Sequence, residues 1–329
     1  MAPMQTRADS GHLPKKIAAR ELTIDEHHAG QRIDNFLIAC LKGLPRTRIY
    51  RILRRGEVRV NKGRIRQHYR LKSGDVVRIP PLRLTQPGPS RGADPALGER
   101  VEACILFEDR GLIVLDKPSG VAVHGGSGLS HGIIEALRAS RGERDYLELV
   151  HRLDRDTSGC LMIAKRRPVL TGLHAAFRDG KVKKRYQVLV KGRWRGPARV
   201  IESGLLRNAL RSGERLVRVD PSGKTGRTRF VPSVPGNQAS LMQALPFTGR
   251  THQIRVHAAS AGHPVAGDPK YGERDFNRHM RDLGLRRLFL HAASLSFENP
   301  GDGAKLTIEA PLPTELLVVL AKLGLGSGT

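Results

Sequence analysis

Cysteines, aromatic residues and acids are scarce in this 329-residue chain, and each scarcity excludes something. Cys40, Cys104 and Cys160 are isolated and odd in number, so they build no disulfide framework. They also match no CxxC or Cys/His metal spacing. Free thiols in a reducing compartment are the plain reading. Aromatics make up only 4% of the chain, which leaves core packing to aliphatic side chains, and the 39% hydrophobic content still supports a folded core. Leu316 to Ala321, the longest apolar stretch near the C-terminus, is far short of the roughly 20 residues that cross a bilayer. Met1 to Arg20 lacks the apolar run of a secretory signal, so a cytoplasmic location is expected.

The shortage of acids is the most informative. Thirty-one Asp and Glu face 57 Lys and Arg, a formal net charge of +26. That balance points to a polyanionic partner, because each neutralised phosphate releases counterions and adds affinity independent of sequence. A membrane surface ranks below nucleic acid, since no long basic amphipathic helix with a Trp/Phe face is present.

Residues 1–18 are polar and aperiodic, and read as a flexible tail. Ile33, Phe36, Leu37, Cys40 and Leu41 then recur at one face of a helix. Pro45 suits the first turn of a second helix and Gly56 its end. Ile49, Ile52 and Leu53 face one way on that helix, while Arg46, Arg48, Arg51, Arg54 and Arg55 fill much of the rest. Val58 and Val60 flank Arg59 as a short strand, Asn61-Lys62-Gly63 makes a turn, and Val76 to Ile79 reads as another strand. Residues 46–66 hold nine Lys/Arg and one acid, Glu57. A charge run is usually a solvated face. On so small a helix-turn-strand unit RNA binding is the better expectation, with Arg46, Arg48, Arg51, Arg54, Arg55, Arg59 and Lys62 as its contacts.

Residues 82–100 carry Pro87, Pro89 and Pro95 among glycines and read as a semi-extended linker. The module before it is expected at 19–81 and a larger domain at 101–329. Strands are expected at Ile105–Phe107, Leu112–Leu115, Tyr186–Val190, Leu216–Val219, Arg227–Val231, Ser240–Ala244 and Phe289–Leu290. Short helices are expected around Ile133–Leu137 and Leu170–Phe177. His124 to Gly128 reads as a flexible loop. With no regular βαβ repeat, the expected class is α+β with a mainly antiparallel sheet.

Within this domain His151-Arg152-Leu153-Asp154-Arg155-Asp156-Thr157-Ser158-Gly159 sits between two apolar runs, Leu147–Val150 and Leu161–Ala164. The layout is strand, polar turn, strand. A carboxylate there can be kept ionised by neighbouring cations and aimed by the rigid strands beside it. On this stretch alone a solvated turn with ion pairs is as good a reading. A second place is Thr248 to His257. There Ile254 and Val256 alternate with Gln253, Arg255 and His257, as on a strand, and Arg255 wants an anion: a phosphate or Asp154. Gly223-Lys224-Thr225 is no P-loop, because Arg218 stands where the first Gly must be. His252, His257 and His263 do not make an HExxH zinc site. No metal or nucleotide motif survives.

HRLDRDTSG at 151–159, KKRYQVLVKG at 183–192, TGRTHQIRVH at 248–257 and FLHAASLSF at 289–297 together resemble the RluA-type pseudouridine synthases. GQRIDNFL followed by YRILRRGEVRVNKGRI resembles an S4 RNA-binding domain over about residues 30–80. The resemblance implies a small S4-like domain linked to a mainly antiparallel, mixed-sheet catalytic domain. It implies isomerisation of uridine to pseudouridine in 23S ribosomal RNA or a large-subunit assembly intermediate, by a monomer with no cofactor and no metal.

By the same resemblance Asp154 is the catalytic carboxylate, acting either as nucleophile at C1′ or as base at C2′. Tyr186 is similar to the tyrosine that stacks on the uracil and can assist removal of the C5 proton. Arg255 resembles the basic partner of the aspartate, Ile254 the apolar residue packed on the base, and Arg152 the arginine that fills the space a flipped base leaves. No step needs His151, and Asp156 reads as a turn residue. An RNA chaperone keeping the fold would not need the Asp154/Tyr186/Arg255 set. A tRNA substrate would keep the chemistry, but a second RNA-binding module fits a large structured RNA better, where it adds avidity.

Overall fold

The computed structural model describes residues 15–26, 28–41, 44–84, 95–125, 132–142, 146–209 and 215–326. The chain divides into two compact units, residues 1–92 and 93–329.

The first unit contains β1 (Lys15–Ile17), β2 (Arg20–Thr23), α1 (Ile33–Cys40), α2 (Arg46–Arg54), β3 (Arg59–Val60), β4 (Gly63–Arg64), β5 (Val76–Ile79) and β6 (Leu82–Leu84). Its antiparallel sheet runs β2-β5-β3-β4, and β1 pairs with β6. The predicted helical faces are the buried ones: Ile33, Phe36 and Leu37 of α1 meet Ile49, Ile52 and Leu53 of α2 over Val60, Val77 and Ile79. Gly56, at φ 69°, ends the second helix as expected. The hairpin between β3 and β4 turns on Asn61 (φ 48°) and Lys62 (φ 66°), both left-handed as a tight two-residue turn demands. Asn61 is suited to this and also donates to the buried Asp75 (2.9 Å), whereas Lys62 carries the strain uncompensated.

Two expectations change here. Residues 15–17 of the expected tail are a strand, held by pairing with residues 82–84. The expected linker likewise carries structure at both ends: β6 at its start, and α3 (Pro95–Glu102), where Pro95 opens a helix rather than extending the chain. Residues 1–14 of the tail, 85–94 of the linker and 126–128 of the glycine-rich loop lie outside the described residues.

After α3 the second unit continues with β7 (Ile105–Glu108), β8 (Leu112–Lys117), α4 (Ile133–Arg141), β9 (Glu148–Leu149), β10 (Ser158–Ala164), α5 (Arg167–Arg178), β11 (Lys183–Lys191), β12 (Arg199–Ala209), β13 (Arg215–Val219), β14 (Lys224–Val234), β15 (Ala239–Pro246), α6 (Gln253–Ser260), α7 (Arg274–Asp282), β16 (Leu290–Glu298), β17 (Lys305–Glu309) and α8 (Thr314–Lys322). Among the described residues these strands form one mixed sheet, ordered β13-β12-β14-β15-β11-β16-β10-β8-β7, with β9 on β10 and β17 on β16. Every pairing is antiparallel except β10 with β16. The α+β class with a mainly antiparallel sheet is what the element pattern led one to expect.

β10 explains why the sheet is covered on both faces. Ser158 to Ala164 are all buried, as in a strand with a core on each side. Leu161 and Ile163 pack under α4, while Cys160, Met162 and Ala164 pack under α5. Farther along the sheet, Ile254 and Ala258 of α6 join Val188 and Val190. The α7 and α8 side chains Phe276, Met280, Leu316 and Leu320 cover Leu189 and Leu241.

The run 248–257 departs from its expected form. It is a turn followed by helix α6, not a strand. Gln253 through Ala258 are all buried, so the helix shows no polar face, and its β-branched Ile254 and Val256 imitate strand alternation. No helix among the described residues is long and apolar enough to cross a membrane.

Candidate active site

The turn ahead of β10 holds Asp154. Leu153 is buried in the core beneath α4 and anchors the loop from one side. On the other, Gly159 has φ 104°, and a Cβ there would fall 2.3 Å from the Ala292 carbonyl oxygen. Only glycine lets the end of the motif lie this close to β16. Thr157 N–H donates to the Asp154 carbonyl (3.2 Å) and closes the turn. Beneath it the buried Lys117 ammonium donates to the carbonyls of Pro118, Val121 and Arg155 at 2.8, 2.8 and 2.9 Å. Burial, helped by the nearby Arg287 guanidinium, pulls Lys117 down to about 7.

Asp154 opens onto a cleft of about 450 Å³, and among the described lining residues it is the only carboxylate. Arg152, Arg178, Lys184, Arg250 and Arg255 share that lining. Arg255, buried on α6, donates from Nη1 to Asp154 Oδ2 (3.2 Å). Its Nε and Nη2 both donate to Asp268 at 2.8 Å, a bidentate fork. Asp268 is itself buried and also accepts the N–H groups of Lys270 (2.9 Å) and Tyr271 (3.2 Å). Burial works to raise its carboxyl, but these bonds and the guanidinium outweigh it and hold it below the usual carboxylate range. The anion that Arg255 seeks is thus Asp154, with Asp268 as a second.

His252 completes the surroundings of Asp154. It sits at φ 53° just before α6, with Nε2 3.8 Å from Asp154 Oδ2 and Nδ1 2.7 Å from the Tyr271 hydroxyl. Burial lowers its ring below the usual imidazole range, against the pull of Asp154.

Tyr186 lines the same cleft from β11. There the register slips: Arg185 pairs with Ser294 and Tyr186 with Ala292, so Ala293 is an extra residue on β16. Such a bulge re-aims a side chain. Burial first, then the Asp154 carboxylate, push the Tyr186 phenol well up, so it is protonated at neutral pH. Ile254 is buried behind it, and Arg152 is exposed at the cleft. His151 accepts the Met162 N–H at Nε2 (3.1 Å) and lies against Phe177. Burial pulls it down to about 4, so it is neutral and holds the strand. Asp156 accepts from Arg155 (3.1 Å) in the turn.

Asp154, Tyr186, Ile254, Arg255 and Arg152 therefore meet in one cleft. Asp268, Lys117 and His252 were not singled out as site residues. Asp268 follows Val265-Ala266-Gly267 as a turn acid before Pro269, which gives no hint of an arginine 13 positions earlier. Among the described residues no group of three or more His, Cys, Asp or Glu could hold a metal ion.

On the first unit, Arg48, Arg51, Arg54 and Arg55 line a groove of about 1030 Å³ together with Ile17 and Leu44. Arg46 lies on the same helix outside that lining, and Arg59 and Lys62 are exposed on the β3–β4 hairpin.

Residues 111–260 match the RNA pseudouridylate synthase family and residues 31–77 the S4 domain. The chain is 54% identical to the ribosomal large subunit pseudouridine synthase C of Haemophilus influenzae, over 93% of this chain and 95% of that protein. It is 52% identical to the protein of the same name in Escherichia coli, over 94% and 96%. Among solved structures, human RNA pseudouridylate synthase domain containing 4 superposes with a TM-score of 0.59 at 24% identity. That match covers 70% of this chain and 96% of that one, and shows the fold. The chain belongs to the RNA pseudouridylate synthase family, in its RluA-type branch with an S4 domain, and is an RNA pseudouridine synthase.

Proposed function

We propose that this enzyme isomerises specific uridines of 23S ribosomal RNA, free or in a large-subunit assembly intermediate, with Asp154 as its catalytic carboxylate. The observation that carries this is a single carboxylate among the described residues of the cleft, whose other charged side chains are arginines and a lysine. Glycosidic hydrolysis needs two carboxyl groups, one to protonate the leaving group and one to activate water. Breaking N1–C1′, turning the base and rejoining it through C5 adds no water, and one carboxylate serves. The second acid nearby, Asp268, is buried under the Arg255 fork and faces no substrate.

In this reading the target uridine leaves its stack at a cost of a few kcal/mol, and Arg152 fills the space. Tyr186 stacks on the uracil as a neutral phenol, and Ile254 packs behind it. Arg255 holds and orients Asp154. Asp154 then acts at C1′ as nucleophile or at C2′ as base. The S4-domain residues Arg46, Arg48, Arg51, Arg54, Arg55, Arg59 and Lys62 hold RNA phosphates, which position the enzyme without reading sequence. The names of the relatives support a large-subunit substrate. The enzyme works as a cytoplasmic monomer without cofactor.

The test is pseudouridine mapping on 23S rRNA by carbodiimide modification and primer extension, after incubation with wild type or Asp154→Asn. Stops with wild type alone, and retained fold and RNA binding in the variant, are expected. Activity in Asp154→Asn would remove Asp154 from the chemistry. No stops with either protein, despite binding, would point to another RNA.

A further inference from the structure

We propose that Phe247, backed by Arg227, is a stacking platform for a nucleobase that flanks the target uridine. This rests on the uridine-isomerase reading of the cleft. In a chain with few aromatics, Phe247 is 50% exposed, yet it forms part of the wall of the Asp154 cleft. The Arg227 guanidinium lies 4.8 Å from its ring centroid. A scattered exposed apolar side chain would be ordinary on any surface. This one is different because it is held in place and stands in a cationic cleft.

The holding is explicit. Phe247 N–H donates to the Arg227 carbonyl (2.9 Å), and Arg227 N–H donates to Thr248 Oγ1 (2.9 Å). The Thr248 hydroxyl donates to Gln253 Oε1 (2.6 Å), and Gln253 Nε2 donates back to the Arg227 carbonyl (3.0 Å). Gln253 is buried as the first residue of α6, the helix that carries Ile254 and Arg255. The backbone that carries the ring and the guanidinium is therefore tied to the same element as the catalytic aspartate's partner. A preorganised aromatic face with a cation beside it binds the π-face of any base and, through the cation, its phosphate.

Position decides which base. Tyr186 pairs with Ala244 across β11 and β15. Phe247 lies three residues farther along, about 10 Å at the rise of a strand. That is beyond a uracil stacked on Tyr186 and suits a neighbouring nucleotide. Because every base has a π-face, the platform selects for an unstacked neighbour rather than for its identity.

The experiment compares KM and kcat of wild type, Phe247→Ala, Phe247→Tyr and Arg227→Ala on a stem–loop RNA carrying a mapped target uridine. The same RNA is also made with each flanking nucleotide in turn replaced by an abasic one. Phe247→Ala is expected to raise KM by about five- to 150-fold, the range of one base–aromatic stack, with a much smaller effect on kcat. Phe247→Tyr should restore KM, and Arg227→Ala should raise it less. One abasic position should weaken wild type by a similar factor and add no further loss in Phe247→Ala. An unchanged KM in Phe247→Ala, or losses that multiply at every flanking position, overturns the platform. If wild type is inert on the RNA, the uridine reading fails instead, and the platform is judged by binding to an oligouridylate labelled with 2-aminopurine. A weaker Kd in Phe247→Ala then upholds it and an equal Kd refutes it.

Discussion

Asp268→Asn tests whether Arg255 is aimed by its buried partner. Asparagine keeps the shape and one oxygen for the Lys270 and Tyr271 N–H groups, but turns an amide N–H toward the Arg255 fork. The Nε bond to Oδ2 is then lost, and Arg255 keeps only an Nη2 bond to the retained, now uncharged oxygen and the 3.2 Å contact to Asp154. Removing one partner of a buried pair typically costs 3–5 kcal/mol. Because Asp154 still offers partial compensation, we expect the low end, about 3 kcal/mol. For a unit of this size that lowers Tm by about 6–12 °C. A guanidinium displaced by about 1 Å also misplaces Asp154, and kcat should fall by about 30- to 100-fold with KM nearly constant. The wild-type Asp268 carboxyl sits below its unfolded value, so its stabilisation is complete above about pH 4 and is lost as pH falls further. The variant should lack that component. Calorimetry and single-turnover rates well below Tm read both effects. A Tm within 2 °C of wild type together with kcat within threefold would refute the reasoning.

His257 is buried, meets Thr228 Oγ1 at 3.0 Å, and is pulled by burial down to about 4. Its unfolded pKa is about 6.5, so the stability tied to its neutral form is complete above pH 6.5. That stability, up to about 3 kcal/mol, is lost as pH falls toward 4. Denaturant titrations from pH 7.5 to 4.5 should show the decline and His257→Gln should flatten it; a level wild-type profile would contradict this. Lys62→Gly should relieve the left-handed strain in the first unit and raise its stability by about 1 kcal/mol. It should also weaken RNA binding and reduce the salt slope of log K by about 0.9. Unaltered affinity would show that Lys62 touches no phosphate.

How much was legible follows from where each signal resides. The two helices of the first unit were plain because each has an apolar face at helical spacing, which the structure buries, and the second carries arginines on the rest of its surface. The Asp154 motif stood out by its two acids among two arginines and a histidine, but on that stretch alone a solvated turn read as well, and the role proposed for Asp154 came from the family resemblance. Helix α6 was not, since burial on all sides erases the periodicity that betrays a helix, and Ile254 and Val256 then look like a strand. That misreading also hid the Arg255–Asp268 fork, which needs a helical Arg255 facing a turn 13 residues later. The bulge that re-aims Tyr186 depends on one extra residue, Ala293, in a partner strand more than 100 positions away. No local pattern records such a register slip.

In the proposed reaction the fork also explains why the Asp154 carboxylate remains available. Had Arg255 gripped Asp154 with both of its edges, each carboxylate oxygen would be tied to a donor, and a strong bidentate bond would have to be broken before reaction. Instead the fork is satisfied by Asp268, which is buried and cannot compete for substrate. Only Nη1 is left for Asp154, and it meets Oδ2 alone. Among the described residues no hydrogen bond reaches Asp154 Oδ1, which stays open to the cleft. One oxygen is held, which fixes the direction of the carboxylate, and in the proposed reaction the other acts on the sugar. In this proposal two acids and one arginine divide the work, with Asp268 holding Arg255 in place, Arg255 orienting Asp154, and Asp154 left to react.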